Sequence, residues 1–272
     1  MGKMAFDLSG KTAVVTGGGG VLCSGFSKTL AEAGAKVAVC DLRLEAAEKV
    51  AAEIRESGGE AMAVEMNVLD KASVEAACAK ILEKYGAVDI LLNGAGGNNP
   101  KGTTTRDNLT PEEVEALDED GAIEGVKTFF DLDPAGISFV FNLNFLGTLI
   151  PTQVFARGMA KTGGTIINVS SMNAFRPLTR IPAYSGAKAA VSNFTQWLAV
   201  HFAPVGIRVN AIAPGFFLTD QNRTLLTNPD GSLTPRADKI ISHTPMSRFG
   251  VPADLDGTLL WLADANFSAF VD

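Results

Sequence analysis

Six short apolar segments recur along this chain, and helical periodicity fills the gaps between them. The segments span residues 12–16, 36–40, 61–65, 89–93, 165–170 and 207–212. Several are apolar on both faces, as strands are when helices cover both sides of a parallel sheet. Strand alternating with helix predicts an α/β, doubly wound parallel sheet of the Rossmann type in three layers. The chain ends at residues 270–272, where a further strand is expected, so we expect the final strand of such a sheet to be absent.

The periodic stretches predict helices at residues 26–33, 44–56, 73–85, 139–160 and 183–202. The length of 272 residues fits one domain, residues 1–272. Two stretches interrupt the rhythm of strand and helix. Residues 98–133 are polar and acidic. Such a long insertion is often functional and can lie near the active site, and a solvated surface excursion explains it equally well. Residues 214–250 are expected to form a lid over the substrate.

Composition excludes several classes of function. The net charge is −7, and no basic stripe suggests a nucleic-acid partner. No apolar run approaches the roughly 20 residues of a membrane span, and the N-terminus lacks the apolar core of a signal peptide. Cys23, Cys40 and Cys78 are scattered, which favours reduced thiols in a cytoplasmic protein. Their spacing predicts no metal site.

Four glycines, Gly17 to Gly20, follow the first predicted strand and precede a helix. Glycines there allow a tight turn and a close approach of the backbone to a pyrophosphate, and a helix N-terminus offers free N–H groups. A glycine run can also be only a flexible turn. Asp41, at the end of the second strand, fits the acidic residue that binds ribose hydroxyls in dinucleotide sites. Because its carboxylate would repel a 2′-phosphate, the pattern favours NAD over NADP, with Arg43 keeping NADP as an alternative.

Tyr184 and Lys188 are four residues apart in a predicted helix, so they share one face. A neighbouring cation favours the phenolate and lowers the pKa of a tyrosine, which then exchanges a proton with an alcohol near neutral pH. The spacing alone is a weak signal. Ser171, which follows a predicted strand upstream, strengthens it, and together these residues predict an active site.

These residues jointly resemble the short-chain dehydrogenase/reductase family. The resemblance is carried by Thr16-Gly17, Asp41, Asn93-Gly94-Ala95-Gly96, Asn144, Ser171, Tyr184, Lys188 and the segment from Pro214 to Thr219. It implies a single NAD-binding catalytic domain in which Tyr184 is the general acid and base. It further implies that Lys188 lowers the pKa of Tyr184 and binds the nicotinamide ribose. Ser171 would steady the substrate oxygen, and Asn144 would hold a water in a proton relay.

The same resemblance implies a set of cofactor contacts. They are Gly17, Gly19, Gly20, Val21, Leu22, Asp41, Asn67, Val68, Asn93, Ala95, Gly96, Tyr184, Lys188, Pro214, Gly215, Phe217 and Thr219. The chain departs from the family pattern at Val21 and Cys23, which replace glycines, at Gly94, where Asn is common, and at Asn67, where Asp is usual. The phosphate turn is therefore expected to have an altered shape built on Gly18 to Gly20.

Within the family, the sequence is most similar to a branch of D-mannonate oxidoreductases, also called fructuronate reductases. The similarity is carried by segments that begin at Thr16, Leu117, Ser171, Gln196 and His243. It implies NAD-dependent hydride transfer between the nicotinamide and a sugar-acid ketone or alcohol, D-fructuronate and D-mannonate. Two alternatives stay open: another polyol or sugar-acid dehydrogenase, such as a gluconate 5-dehydrogenase, and a dinucleotide-binding sensor without turnover.

A sugar-acid substrate needs a cationic partner for its carboxylate, and arginine binds carboxylates with two parallel hydrogen bonds. Arg176 and Arg180 lie between Ser171 and Tyr184. Arg223 and His243 lie in the predicted lid. For any one of these four residues, a plain surface charge is the more common explanation. Asn173, two residues after Ser171, is a candidate for a sugar hydroxyl.

The family resemblance also implies a homo-oligomer, a dimer or a homotetramer, packed through the helices at 139–160 and 183–202. Apolar side chains such as Phe155 and Trp197 fit an interface if they are exposed. Core packing explains them equally well.

Overall fold

The six predicted strands form one parallel sheet in this computed structural model, which describes residues 5–117, 123–219 and 222–271. The strands are β1 Thr12–Thr16, β2 Lys36–Asp41, β3 Glu60–Glu65, β4 Ile90–Asn93, β5 Gly164–Val169 and β6 Ile207–Ile212. Each predicted boundary lies within one residue of the observed one. The acidic run from Asp118 to Asp120 in the predicted insertion, and residues 220 and 221 of the predicted lid, lie outside the described residues.

The strand order is β3-β2-β1-β4-β5-β6, and every neighbouring pair is parallel. The order reverses between β1 and β4, where Thr16 is paired with Asn93. Open α/β sheets bind ligands outside the carboxyl ends of the strands at such a reversal. Within the described residues the sheet has six strands with β6 at one edge, as predicted.

Eleven α-helices lie in the described ranges. They are α1 Val21–Glu32, α2 Leu44–Glu56, α3 Lys71–Tyr85, α4 Pro111–Glu115, α5 Pro134–Phe141, α6 Gly147–Met159, α7 Pro182–Phe202, α8 Arg223–Leu226, α9 Pro235–Ser242, α10 Asp256–Ala263 and α11 Ala265–Ser268. Successive strand residues point to opposite faces of the sheet. Val15 packs with Phe26 of α1 and Leu259 of α10, whereas Val14 packs with Ile81 of α3 and Phe155 of α6. The sheet is therefore the middle of the three predicted layers.

The helix predicted at 139–160 begins earlier than expected and is interrupted. It starts at Pro134, because Asp133 caps it by accepting a hydrogen bond from the Ala135 N–H (2.8 Å) and proline is favoured in a first helical turn. Residues Asn142–Leu146 form a π-helical segment between α5 and α6. By length and composition the 26-residue run Pro134–Met159 could cross a bilayer. Here, however, α6 packs on the sheet.

Other helix predictions also need correction. Helix α1 begins at Val21 rather than at 26, directly after the glycine run. Its first turn was missed because residues 21–25 continue no regular apolar stripe. Phe155 is a core residue, 2% exposed, and does not offer an interface. Trp197 is 56% exposed, and its ring stacks on His201 at 4.5 Å between centroids.

Candidate active site

The glycine run makes a turn that only glycine allows at its first position. Gly17 has a φ of +65°, and a β-carbon there would lie 2.9 Å from the Cα of Ala95. At Gly18 a β-carbon would lie 2.6 Å from the Val39 side chain. Gly20 directly precedes α1, and no side chain caps the N-terminus of this helix. The backbone N–H groups of the first turn of α1, including those of Val21 and Leu22, are thus left for an anionic ligand.

Asp41 lies beside this turn at the end of β2. Its carboxylate accepts hydrogen bonds from the Gly19 N–H (3.0 Å) and the Arg43 N–H (3.0 Å). The Arg43 side chain is exposed, and no ion pair with Asp41 is formed among the described residues. The carboxylate thus lies at the edge of the glycine turn, where ribose hydroxyls are bound in dinucleotide folds.

Two of the predicted cofactor residues lie in the core. Asn93 is 2% exposed, and its Nδ2 donates to Thr152 Oγ1 (3.0 Å) and Asn168 Oδ1 (2.9 Å). Val68 is buried among apolar side chains. Asn67 is exposed and closes a local turn, since its Oδ1 accepts from the Leu69 N–H (3.0 Å). As cofactor contacts, Asn93, Val68 and Asn67 stay predictions.

Gly96 makes room for two predicted catalytic residues. A β-carbon at this position would lie 2.6 Å from Asn144 Oδ1 and 3.3 Å from Lys188 Nζ. The Nδ2 of Asn144, in the π-helical segment, donates to the carbonyls of Gly97 and Val140, both at 2.8 Å. Asn144 thus fixes the loop after β4, and its role in a proton relay stays a prediction.

Lys188 is buried, and backbone holds its ammonium in place. Its Nζ donates to the Val169 carbonyl at 2.7 Å, and it lies 5.7 Å from the centroid of the Tyr184 ring. Burial lowers the pKa of Lys188 to about 8, and the Cys23 thiol opposes that shift. The ammonium and the phenol therefore share one face of α7, as the spacing predicted.

The expected direction of the Tyr184 pKa is not observed. Burial raises the pKa of Tyr184, and a hydrogen bond with Ser171 offsets the rise only in part. Lys188 was expected to lower this pKa, but its ammonium is directed at the Val169 carbonyl. Desolvation of the phenolate, rather than the cation, therefore sets the direction of the Tyr184 pKa.

Ser171 and Asn173 follow β5. The Ser171 Oγ accepts a hydrogen bond from the Asn173 N–H at 3.2 Å, and the hydroxyl also hydrogen-bonds with Tyr184. Asn173 is 7% exposed, and its Oδ1 has no hydrogen-bond partner among the described residues. Such a buried acceptor is suited to a donor on a ligand.

A cavity of about 300 Å³ joins these groups at the carboxyl ends of the strands. Ten of the predicted residues line it: Leu22, Gly96, Ser171, Asn173, Tyr184, Lys188, Pro214, Gly215, Phe217 and Thr219. Lining residues that the sequence did not indicate include Met172, Leu178, Asn222, Leu225, Leu226, Arg236 and Ile240. The described lining contains two charged side chains, Lys188 and Arg236, and both are cationic.

A larger cleft of about 880 Å³ lies at the opposite ends of the strands, lined by Lys11, Asp89 and Gly164 among others. Parallel sheets of this kind bind ligands at their carboxyl ends, so we assign the active site to the smaller cavity. In the part of the chain that the structure describes, no group of three or more His, Cys, Asp or Glu residues could hold a metal ion.

The four cations predicted to bind a substrate carboxylate do not line this cavity. Arg176, Arg223 and His243 are exposed. Arg180 pairs with Asp107 at 2.6 Å. Sequence reasoning missed Arg236, which lies in the predicted lid. The sequence signal that could have found Arg236 is its spacing of four residues from the apolar Ile240, which puts both on one face of a helix.

Comparison with known proteins agrees with this geometry. The sequence model of the family described as short chain dehydrogenase matches residues 11–230. A Haemophilus influenzae protein named only as an uncharacterized oxidoreductase is 56% identical over 267 residues, 98% of this chain and 90% of that protein. The Bacillus subtilis protein named uncharacterized oxidoreductase UxuB is 53% identical over 97% of this chain and 92% of its own length.

A solved structure shows the same likeness in three dimensions. It is a Haemophilus influenzae protein, provisionally named a D-mannonate oxidoreductase, with bound NAD. It is 54% identical, with a TM-score of 0.90, over 98% of this chain and 92% of that one. The fold, the glycine turn and the cavity around Tyr184 agree with the family match, and the chain belongs to the short-chain dehydrogenase family.

Proposed function

We propose that this protein is an NAD-dependent oxidoreductase that transfers a hydride between the nicotinamide and a ketone or alcohol carbon of a sugar acid. We propose D-fructuronate and D-mannonate as the pair of substrates. The observation that carries this proposal is the cavity itself. It brings Ser171, Tyr184 and Lys188 together, and both of its charged groups in the described lining are cationic.

The residues present fit a dinucleotide. A β-carbon at Gly19 would lie 2.6 Å from the Ala46 side chain and 3.0 Å from Asp41 Oδ2, so glycine lets the turn pack against α2 and Asp41, and the N-terminus of α1 has no side-chain cap. Backbone N–H groups at the start of α1 would hold the pyrophosphate, Asp41 the adenosine ribose and Lys188 the second ribose. The bound cofactor supplies or accepts the hydride. The NAD bound to the similar Haemophilus influenzae structure supports NAD over NADP, since Asp41 would repel a 2′-phosphate.

Tyr184 is suited to donate a proton to a substrate oxygen. Burial raises its pKa, so the phenol is protonated at neutral pH. In the reducing direction, negative charge grows on the ketone oxygen, and a phenol in the same cavity can pass its proton there. The reverse reaction needs the phenolate, which the same burial disfavours in the absence of other charges.

Ser171 and Lys188 support that transfer. The Asn173 N–H holds the Ser171 oxygen in place, and the Ser171 hydroxyl, which hydrogen-bonds with Tyr184 here, can donate its hydrogen to the same oxygen once a ketone lies between them. Lys188 places a buried positive charge near the developing negative one. A sensor without turnover would not need these groups gathered in one cavity, which favours an enzyme.

A substrate panel tests the proposal. Purified protein is mixed with NADH or NADPH and with one of three substrates: D-fructuronate, 5-ketogluconate or D-fructose. The absorbance of the reduced cofactor is followed over time, and the product is identified. Formation of D-mannonate with NADH supports the proposed pair. Activity with 5-ketogluconate alone would instead favour a gluconate 5-dehydrogenase, and cofactor binding without turnover on any substrate would favour the sensor.

A further inference from the structure

We propose that Arg236 binds the carboxylate of the substrate and that this contact sets a preference for acidic over neutral sugars. The inference deepens the proposed function and rests on its assignment of a sugar-acid substrate. Arg236 lies in α9, the helix that covers the cavity.

Packing fixes the direction of Arg236. Helix α9 is capped by Thr234, whose Oγ1 accepts from the Ala237 N–H at 3.3 Å, and Ala237 is fully buried. Residues four apart share a helical face, and both Arg236 and Ile240 line the cavity. Lys239 is paired with Asp107 (2.8 Å), and the exposed His243 ends the helix, where its ring lies 2.7 Å from the Lys239 carbonyl; neither lines the cavity. The helix therefore turns one of its cations inward.

Charge pairing leaves that cation available. Asp107 accepts hydrogen bonds from Arg180 (2.6 Å) and Lys239 (2.8 Å). No ion pair or hydrogen bond holds the Arg236 guanidinium among the described residues. Two cations, Arg180 and Lys239, therefore share this carboxylate. Arg236, which is near enough to feel its charge but is not paired with it, is left for an incoming anion.

The surroundings of the guanidinium favour an anion further. Burial, and then the charge of Arg180, lower the pKa of Arg236, while Asp107 opposes the shift. The neighbouring lining residues Leu225, Leu226 and Ile240 are apolar. A bound carboxylate offsets the desolvation cost of a partly buried cation that lacks a partner. Charge-assisted hydrogen bonds are also stronger away from water.

Arg236 also lies in the same cavity as the groups that handle the ketone. Tyr184 and Ser171 would hold the reacting oxygen, and the free Oδ1 of Asn173 can accept a hydrogen bond from a sugar hydroxyl. The keto form of a sugar acid carries a functional group for each of these sites: a carboxylate for Arg236, a hydroxyl for Asn173 and a ketone for Tyr184 and Ser171. A neutral sugar leaves Arg236 without a partner.

The test compares Arg236→Gln and Arg236→Lys with Arg223→Gln, a matched control at an exposed arginine outside the cavity. D-Fructuronate is compared with D-fructose, which has the same carbon skeleton without the carboxylate. We expect Arg236→Gln to raise the KM for D-fructuronate by about tenfold or more, because one charged hydrogen bond is lost. The same variant should leave kcat/KM for D-fructose within about twofold of the wild type. Arg236→Lys should fall between, because lysine keeps the charge without the two-pronged geometry.

A binding measurement separates this inference from the proposed reaction. The dissociation constant of D-mannonate is measured by calorimetry for the wild type, Arg236→Gln and Arg223→Gln, with unfolding curves confirming that the variants are folded. Weaker binding by about tenfold in Arg236→Gln alone supports the inference, whichever substrate is turned over. Equal binding in all three proteins, no binding to the wild type, or an unchanged preference for acid over neutral sugar would each overturn it.

Discussion

The Cys23 Sγ atom occupies the position that a β-carbon on residue 94 would need, so Cys23 and Gly94 fit only as a pair. Both residues depart from the pattern of the family that the chain resembles, which has glycine and asparagine there. Cys23 faces the loop after β4 from the first turn of α1. The two departures therefore compensate for each other. Burial also raises the pKa of Cys23 to about 12, which makes the thiol a packing group and a poor nucleophile.

Gly94→Ala should therefore destabilise the protein by about 1–3 kcal/mol, the cost of overpacking a filled site. The same substitution in a Cys23→Gly background should cost much less, because the space is then free. Urea unfolding of the two single variants and the double variant measures the coupling. Gly158→Ala, where a β-carbon meets nothing within 4 Å, is the control and should be neutral or stabilising. Equal costs in both backgrounds would contradict the pairing.

Gly96→Ala should reduce kcat by about tenfold to a hundredfold while the fold is retained. The added methyl would meet Asn144 Oδ1 and Lys188 Nζ, and displacement of the ammonium shifts charge away from the reacting oxygen. Steady-state kinetics with the preferred substrate checks this, again beside Gly158→Ala. Normal kcat in Gly96→Ala would show that the positions of Asn144 and Lys188 do not matter for turnover.

Asp107→Asn should raise the KM for the substrate severalfold with little loss of stability. Lys239 and then Arg180 hold the pKa of Asp107 well below its usual range, so the pairs persist from neutral pH down through mild acid. Exposed ion pairs of this kind contribute at most about 1 kcal/mol to stability. They do, however, join residue 107 to α9, which carries Arg236. Asp254→Asn breaks a comparable exposed pair with Arg248 and is the control. Equal KM values in the two variants would argue against a role for Asp107 in placing α9.

The buried Lys188 predicts a rise in stability with pH. Its pKa is about 8 in the folded protein against 10.5 for an unperturbed lysine. Between those values the unfolded chain binds the proton more tightly, so the free energy of unfolding increases with pH, by roughly 1–2 kcal/mol from about pH 8 to pH 9.5. Tyr184, whose pKa is raised above 10, stays protonated in this window. Lys188→Met should lack this increase, as measured by urea unfolding at both pH values; the same increase in the variant would contradict it.

Strand pattern and helical spacing predicted the fold and the centre of the site. Strands buried on both faces carry a strong apolar signal, which is why both ends of all six strands were predicted within one residue. The pairing of Tyr184 and Lys188 needed only the four-residue repeat of a helix. The π-helical segment Asn142–Leu146 was missed because no simple periodicity distinguishes it from the flanking helices.

Features that depend on tertiary packing were not predicted. The direction of the Tyr184 pKa depends on how deeply the phenol is buried and on where Lys188 points. The role of Arg236 depends on how residues 214–250 fold back over the cavity, which local pattern does not specify; Arg176 and Arg223, nearer to the motifs, are exposed. Oligomeric state, cytoplasmic location and the role of the 98–133 insertion stay predictions.

The most direct measurement of the central claim uses the two tyrosines of the chain. Oxidation of NADH by D-fructuronate is followed with the wild type, Tyr184→Phe and Tyr85→Phe. Tyr85 is the matched control, because its hydroxyl is buried without a hydrogen-bond partner among the described residues and lies away from the cavity. We predict that Tyr184→Phe lowers kcat by about a hundredfold or more while NADH still binds, and that Tyr85→Phe keeps wild-type activity. Near-normal turnover by a folded Tyr184→Phe protein would contradict the account.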